Sequence, residues 1–137
     1  MLAKINTLSL KGIDGYKVSA EVFLASGLPA YNVVGLPDAA VKEARDRVMA
    51  AIRTSGYCIP PKRITVNLAP AEQRKNGTHF DLPIALGLLA ASGGIDETDN
   101  AKLEKTYFLG NVAWVQSLNT TSLKGHTVNN VERALAS

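Results

Sequence analysis

Pro60-Pro61-Lys62-Arg63-Ile64-Thr65-Val66-Asn67-Leu68-Ala69-Pro70-Ala71-Glu72-Gln73-Arg74-Lys75-Asn76-Gly77-Thr78-His79-Phe80-Asp81-Leu82-Pro83-Ile84-Ala85-Leu86-Gly87-Leu88-Leu89-Ala90-Ala91-Ser92-Gly93 is the stretch that decides the fold. A basic turn leads into Arg63 to Leu68, where Ile64, Val66 and Leu68 share one side, the period of a half-buried strand. Ala71 to Asp81 is a polar loop containing Gly77. Asp81 is placed to cap a helix, with Pro83 in the first turn, where a missing N–H costs nothing. Ile84 to Ala91 is apolar nearly all round, which assigns this helix to the centre of the core, and Gly93-Gly94 ends it. A strand–loop–helix is where an α/β domain normally holds a catalytic or anion-binding site.

Working outward, residues 3–11 alternate polar and apolar, as do Val18, Ala20, Val22 and Leu24. With Gly12 and Asp14-Gly15 between them they predict a β-hairpin. Ser26-Gly27-Leu28-Pro29 is a turn, and Tyr31 to Leu36 a third strand. Asp38 is an N-cap for a helix whose buried face is Val41, Ala44, Val48, Ala51 and Ile52, with Glu43 and Arg47 as an i,i+4 pair and Ser55-Gly56 as its end. Residues 96–105 read as a solvated connection, Thr106 to Val115 as a strand, and Thr127 to Ala136 as a last short helix. The order β-β-β-α-β-α-β-α predicts one α/β domain with a mixed sheet covered by helices.

The totals fit that reading. A chain of 137 residues, 46% hydrophobic and 20% charged, can bury a full core without disulfides or metals. Fifteen basic against 12 acidic residues leave a net charge of +3, which permits a nucleic-acid contact without demanding one. Cys58 is alone, in keeping with a reducing cytoplasm. The longest apolar run, Ile84 to Ala91, falls well short of the roughly 18 residues of a membrane span. A cytoplasmic protein with no membrane partner is expected.

The motifs speak mainly by what they lack. A phosphate-binding loop needs Gly-x-x-x-x-Gly-Lys followed by Ser or Thr, so that backbone N–H groups cradle phosphate. No Gly-Lys pair occurs, and no Gly-x-Gly-x-x-Gly. ATP hydrolysis or dinucleotide binding by those devices is therefore not expected. His79 and Asp81 could ligate a metal, but no third ligand is evident and none is predicted. Thr78 or Ser92 could serve as a nucleophile with His79 as base and Asp81 as its orienter, or Thr78 and His79 could simply decorate the loop. Lys62, Arg63, Arg74 and Lys75, with Arg45, Arg47 and Arg53 on the first helix, form a basic set suited to phosphate contact or to a solvated face.

Four blocks, Gly35-Leu36-Pro37-Asp38, Val41 to Val48, Lys62 to Ala71 and Phe80 to Ala85, resemble in order the N-terminal domain of the ComM/YifB family, bacterial magnesium-chelatase-like AAA+ ATPases. The resemblance covers about residues 1–110. It implies the Lon-protease-like version of the fold of domain two of ribosomal small-subunit protein five. It implies also that an ATPase domain follows, absent from these residues, where ATP and Mg would bind. Family members are linked to DNA uptake and recombination as hexameric branch-migration motors.

Lon-type peptidases use a Ser–Lys dyad. By this resemblance the serine position falls at or next to His79, and the lysine near Lys124. No serine lies between Ser55 and Ser92, so the resemblance implies a protease scaffold without protease chemistry. The expected role is a non-catalytic accessory domain needing no cofactor of its own. It would contact its own ATPase domain, neighbouring subunits, or single-stranded or branched DNA through Asn76, Gly77, Thr78, His79, Asp81 and the basic set. A Lon-like hydrolase and a purely structural oligomerisation module are the alternatives. The chain departs from the family pattern after Gly110, so residues 111–137 are the part least fixed by the resemblance.

Overall fold

A computed structural model describes residues 2–11, 14–93 and 103–110. Strand β1 (Leu2–Lys11) and strand β2 (Asp14–Ala25) form the expected antiparallel hairpin, with Ile5 opposite Ala20 and Thr7 opposite Val18. Strand β3 (Ala30–Val34) and strand β4 (Arg63–Ala69) are parallel, with Tyr31 beside Ile64 and Val33 beside Val66. Strand β2 runs antiparallel to β4, so the mixed sheet has the order β1-β2-β4-β3. The fold is α/β, as the sequence predicts.

A parallel neighbour needs a crossover, and helices supply it. Asp38 caps α1 (Ala39–Lys42), its carboxylate accepting from the Val41 N–H at 2.8 Å. The chain turns at Glu43 and continues as α2 (Ala44–Thr54). The single helix of the sequence reading is thus two, yet its predicted buried face, Val41, Ala44, Val48, Ala51 and Ile52, is buried throughout. Helix α3 (Asp81–Ala91) is buried over almost its whole surface and packs on β1, β2 and α2. The inward faces of β1, β2 and β4 meet these helices through Ile5, Val18, Ala20, Val22, Leu24, Ile64, Val66 and Leu68. Each of these valines, leucines and isoleucines is worth about 1.5–3 kcal/mol of burial.

Two glycines fix close approaches. Gly35 ends β3 at φ +106°, and a side chain there would run into the Leu68 carbonyl of β4. Gly87 lets α3 lie against β2, because a Cβ would come 2.5 Å from Val22 Cγ2.

Three expectations need correction. Asp81 is not an N-cap: Phe80 holds that position, without a side-chain cap, and Asp81 is the first helical residue. The strand expected from Thr106 reduces, within the described residues, to one bridge between Tyr107 and Asn6 plus a hydrogen bond from the Phe108 N–H to the Asn6 carbonyl at 2.9 Å. Leu103, assigned to a solvated connection, is buried in the core. The helix predicted over 127–136 lies outside the described residues.

Candidate functional site

The loop between β4 and α3 is held from several sides. Its backbone exchanges hydrogen bonds with the segment before α1: the Lys75 N–H donates to the Leu36 carbonyl at 3.0 Å, and the Asp38 N–H donates to the Lys75 carbonyl at 2.9 Å. The Asp38 carboxylate also accepts from the Gly77 N–H at 3.1 Å, so one side chain caps α1 and clamps the loop. At the loop's end the Leu82 N–H donates to the Gly110 carbonyl, and the Gly110 N–H to the His79 carbonyl, each at 3.0 Å. The Tyr16 hydroxyl donates to the Arg74 carbonyl at 3.0 Å.

Asp81 is the buried anchor. Arg47, from α2, reaches it with Nε to Oδ2 at 2.8 Å and Nη2 to Oδ1 at 2.9 Å, while Nη2 also donates to the Ala40 carbonyl at 2.8 Å. The Asp81 side chain is 1% exposed and that of Arg47 22%, so this is a bidentate pair largely withdrawn from water. The hydrogen bond to Asp81 pushes the Arg47 guanidinium further up from its already high range. Tyr31 lies close by. Burial, reinforced by the Asp81 charge, pushes its phenol up to about 12.

The predicted basic set does not gather at this loop. The Lys75 side chain is fully buried, its ammonium donates to the Pro70 carbonyl, and burial pushes its pKa down. Arg47 is held by Asp81. Neither is a free cation for a phosphate backbone. Arg74 alone of the set is an exposed cation of the loop. Lys62 and Arg63 stand at the start of β4, seven residues and so about 20 Å from its far end. There Arg45 and Lys62 share a cavity of about 230 Å³ with Tyr31, Met49, Ile59 and Pro61.

His79 stacks on Phe80 with ring centroids 4.1 Å apart, and Phe80 is fully buried. The His79 Nε2 is out of water with no hydrogen-bond partner among the described residues. Burial pushes the imidazole pKa down, against the opposing pull of Asp38 and Asp81. With Asn76, Ser9, Leu8 and Leu109 it lines an apolar cavity of about 500 Å³. Asp81, turned to Arg47, does not orient His79 as a base. Thr78 precedes α3, whereas Ser92 follows it, and the 11-residue helix separates them by about 16 Å. The Ser92 hydroxyl donates to the Leu89 carbonyl at 3.0 Å. Lys124 lies outside the described residues. Among the described residues no three metal-ligating side chains cluster, and no helix is long and apolar enough to cross a membrane.

Sequence reasoning missed the Arg47–Asp81 pair, whose members are 34 residues apart, and the second role of Asp38. An aspartate opening an apolar helix was the available signal for the first, and it reads equally well as a cap.

The chain is similar in sequence to known proteins over most of its length. The sequence profile described as "Subunit ChlI of Mg-chelatase" matches residues 20–132. YifB of Salmonella typhimurium is 44% identical over 117 residues, covering 85% of this chain and 22% of its own length. Competence protein ComM of Haemophilus influenzae is 45% identical over 112 residues, 82% of this chain and 21% of its own. Rv2897c of Mycobacterium tuberculosis is 38% identical over 112 residues, 82% of this chain and 22% of its own. The chain therefore spans about a fifth of the length of these relatives. It belongs to the family of the ChlI subunit of Mg-chelatase, alongside ComM and YifB.

Proposed function

We propose that this chain acts as a non-catalytic accessory domain of a longer magnesium-chelatase-like AAA+ ATPase, in which ATP and Mg bind outside these residues. It contributes DNA contact or subunit assembly to a hexameric cytoplasmic motor that works in DNA uptake and recombination by moving branch points. The observation that carries this reading is the loop. Where the resemblance expects a peptidase nucleophile the chain has His79, stacked on Phe80, in a segment pinned by Asp38 and by the Arg47–Asp81 pair. The relative named competence protein ComM supports the link to DNA uptake. Of the predicted basic set, Arg45, Arg53, Arg63 and Arg74 are exposed cations suited to a phosphate backbone, with Lys62 half-buried beside Arg45.

Binding of labelled single-stranded and forked DNA across a salt series tests the DNA part. The expected result is binding that weakens steeply with salt and falls in Arg63→Ala/Arg74→Ala. No binding at low ionic strength would remove DNA contact and leave assembly. Covalent labelling by a serine-directed probe, lost in Thr78→Ala, would overturn the non-catalytic reading.

A further inference from the structure

The cavity beside Arg45 and Lys62 belongs neither to the loop nor to any catalytic constellation. Its walls are Pro29, Met49, Ile59, Pro61 and the Tyr31 ring, and no acidic residue lines it. Arg45 is exposed, Lys62 is half-buried, and neither forms an ion pair among the described residues. That is a small apolar socket with an unopposed positive rim. It fits an apolar side chain flanked by carboxylates.

The socket opens where strand β3 begins, since Ala30 and Tyr31 also line it. Among the described residues β3 is the last strand on its side of the sheet. Its first N–H, that of Ala30, donates to the Lys62 carbonyl at 3.4 Å. Along a strand the backbone groups turn alternately to one side and to the other. Ala30, Asn32 and Val34 therefore face β4, while Tyr31 and Val33 present their N–H and C=O groups to the open edge. Edge strands are usually blunted by lysine, proline or an inward charge. The β3 sequence, Ala-Tyr-Asn-Val-Val, has none of these. The opposite edge differs: Tyr107 bridges Asn6 of β1, and the Phe108 N–H donates to the Asn6 carbonyl.

We propose that β3 takes up an extended acidic segment of a partner protein as an added strand, with an apolar side chain in the socket and carboxylates against Arg45 and Lys62. The open edge supplies main-chain hydrogen bonds to such a segment, and the socket and its cations select the side chains. A phosphate backbone could meet the cations, but it pairs with neither the Tyr31 and Val33 backbone nor the apolar walls. A protein partner here is additional to DNA contact and subunit assembly, and it leaves Arg53, Arg63 and Arg74 available to phosphate.

The test titrates a capped, fluorescein-labelled peptide, Glu-Asp-Leu-Glu-Val-Asp, into the isotope-labelled 137-residue chain. Binding should weaken as salt rises. Hydrogen exchange should slow at the Tyr31 and Val33 amides and stay unchanged at Asn32, which already faces β4. The variant Arg45→Glu/Lys62→Glu, shown to be folded by circular dichroism and melting, should bind at least about ten-fold more weakly. Three altered peptides leave the protein untouched: one with serine for the leucine, one with amides for the carboxylates, and one N-methylated along its edge-facing side. Each should also bind more weakly than the parent peptide. No binding up to millimolar peptide, or binding that leaves Tyr31 and Val33 unprotected, would overturn the proposal. So would full affinity in the double variant or in the N-methylated peptide. Tighter binding of a single-stranded oligonucleotide, lost in the same variant, would give the socket to nucleic acid. Protection of Tyr31 and Val33 that grows with chain concentration alone would give the edge to a second copy. Either result would overturn the proposal as well.

Discussion

Around the loop that follows β4, Arg47 and Lys75 are turned inward: one closes a bidentate pair with Asp81, the other gives its ammonium to the Pro70 carbonyl. Beside the start of β4, Arg45 and Lys62 border an open socket. Arg45 and Arg47 are only two residues apart on α2, a spacing that does not share a helix face. In sequence these four residues are one basic set. In the fold they divide into cations that hold the loop and cations that remain available to a partner. The loop beside β4, which by position should hold chemistry, is therefore built mainly for rigidity. The surface for interaction begins at Tyr31, which lines the cavity beside Arg45 and Lys62 and whose phenol also feels the Asp81 charge.

The most severe way to break this division is Arg47→Ala. It leaves the Asp81 carboxylate buried without its partner, and the expected loss is about 3–5 kcal/mol in urea unfolding. A loss within about 0.5 kcal/mol would place Arg47 among the available cations instead. Asp38→Ala comes next. It removes the α1 cap and the Gly77 clamp together and should cost about 1–2 kcal/mol, with the change visible in the amide resonances of both segments.

A smaller effect follows from His79. Burial lowers its pKa in the folded chain, while the unfolded histidine titrates near 6.5. As pH falls through that value the unfolded state takes up the proton first. The contribution is present above pH 6.5 and is lost below it as the folded pKa is approached. Urea midpoints at pH 7.5 and pH 5 should differ less in His79→Gln than in the wild type; an equal difference would remove His79 as the cause. The smallest effect belongs to Arg45→Ala and Lys62→Ala, each expected within about 0.5 kcal/mol of wild-type stability. A larger loss in either would show that the socket cations also hold the fold.

Much of the architecture was legible in the chain. The hairpin, the β4 alternation, the buried face of α1 and α2 and the all-apolar α3 rest on local periodicity, and the folded chain keeps them. What was not legible depends on distance. Local spacing pairs Arg47 with Glu43, but the guanidinium engages Asp81 from another element. Arg74 and Lys75 are adjacent and chemically alike. The backbone exchange that joins Lys75 to the residues around Pro37 places Lys75, and not Arg74, in the interior. Leu103 sits in a polar stretch with no period around it, yet it closes the core against β1. Asp81 is not the cap because the half-buried Arg47 engages both of its carboxylate oxygens.

Native-state hydrogen exchange across residues 60–85 tests the rigid loop most directly. The amides of Lys75, Gly77, Asp81 and Leu82 donate to Leu36, Asp38, Thr78 and Gly110 respectively. The account predicts that they exchange at rates approaching those of the β4 amides and speed up together in Arg47→Ala. Exchange at unprotected-loop rates in the wild type would contradict it, and would return the loop to the mobile segments from which binding and catalytic loops are drawn.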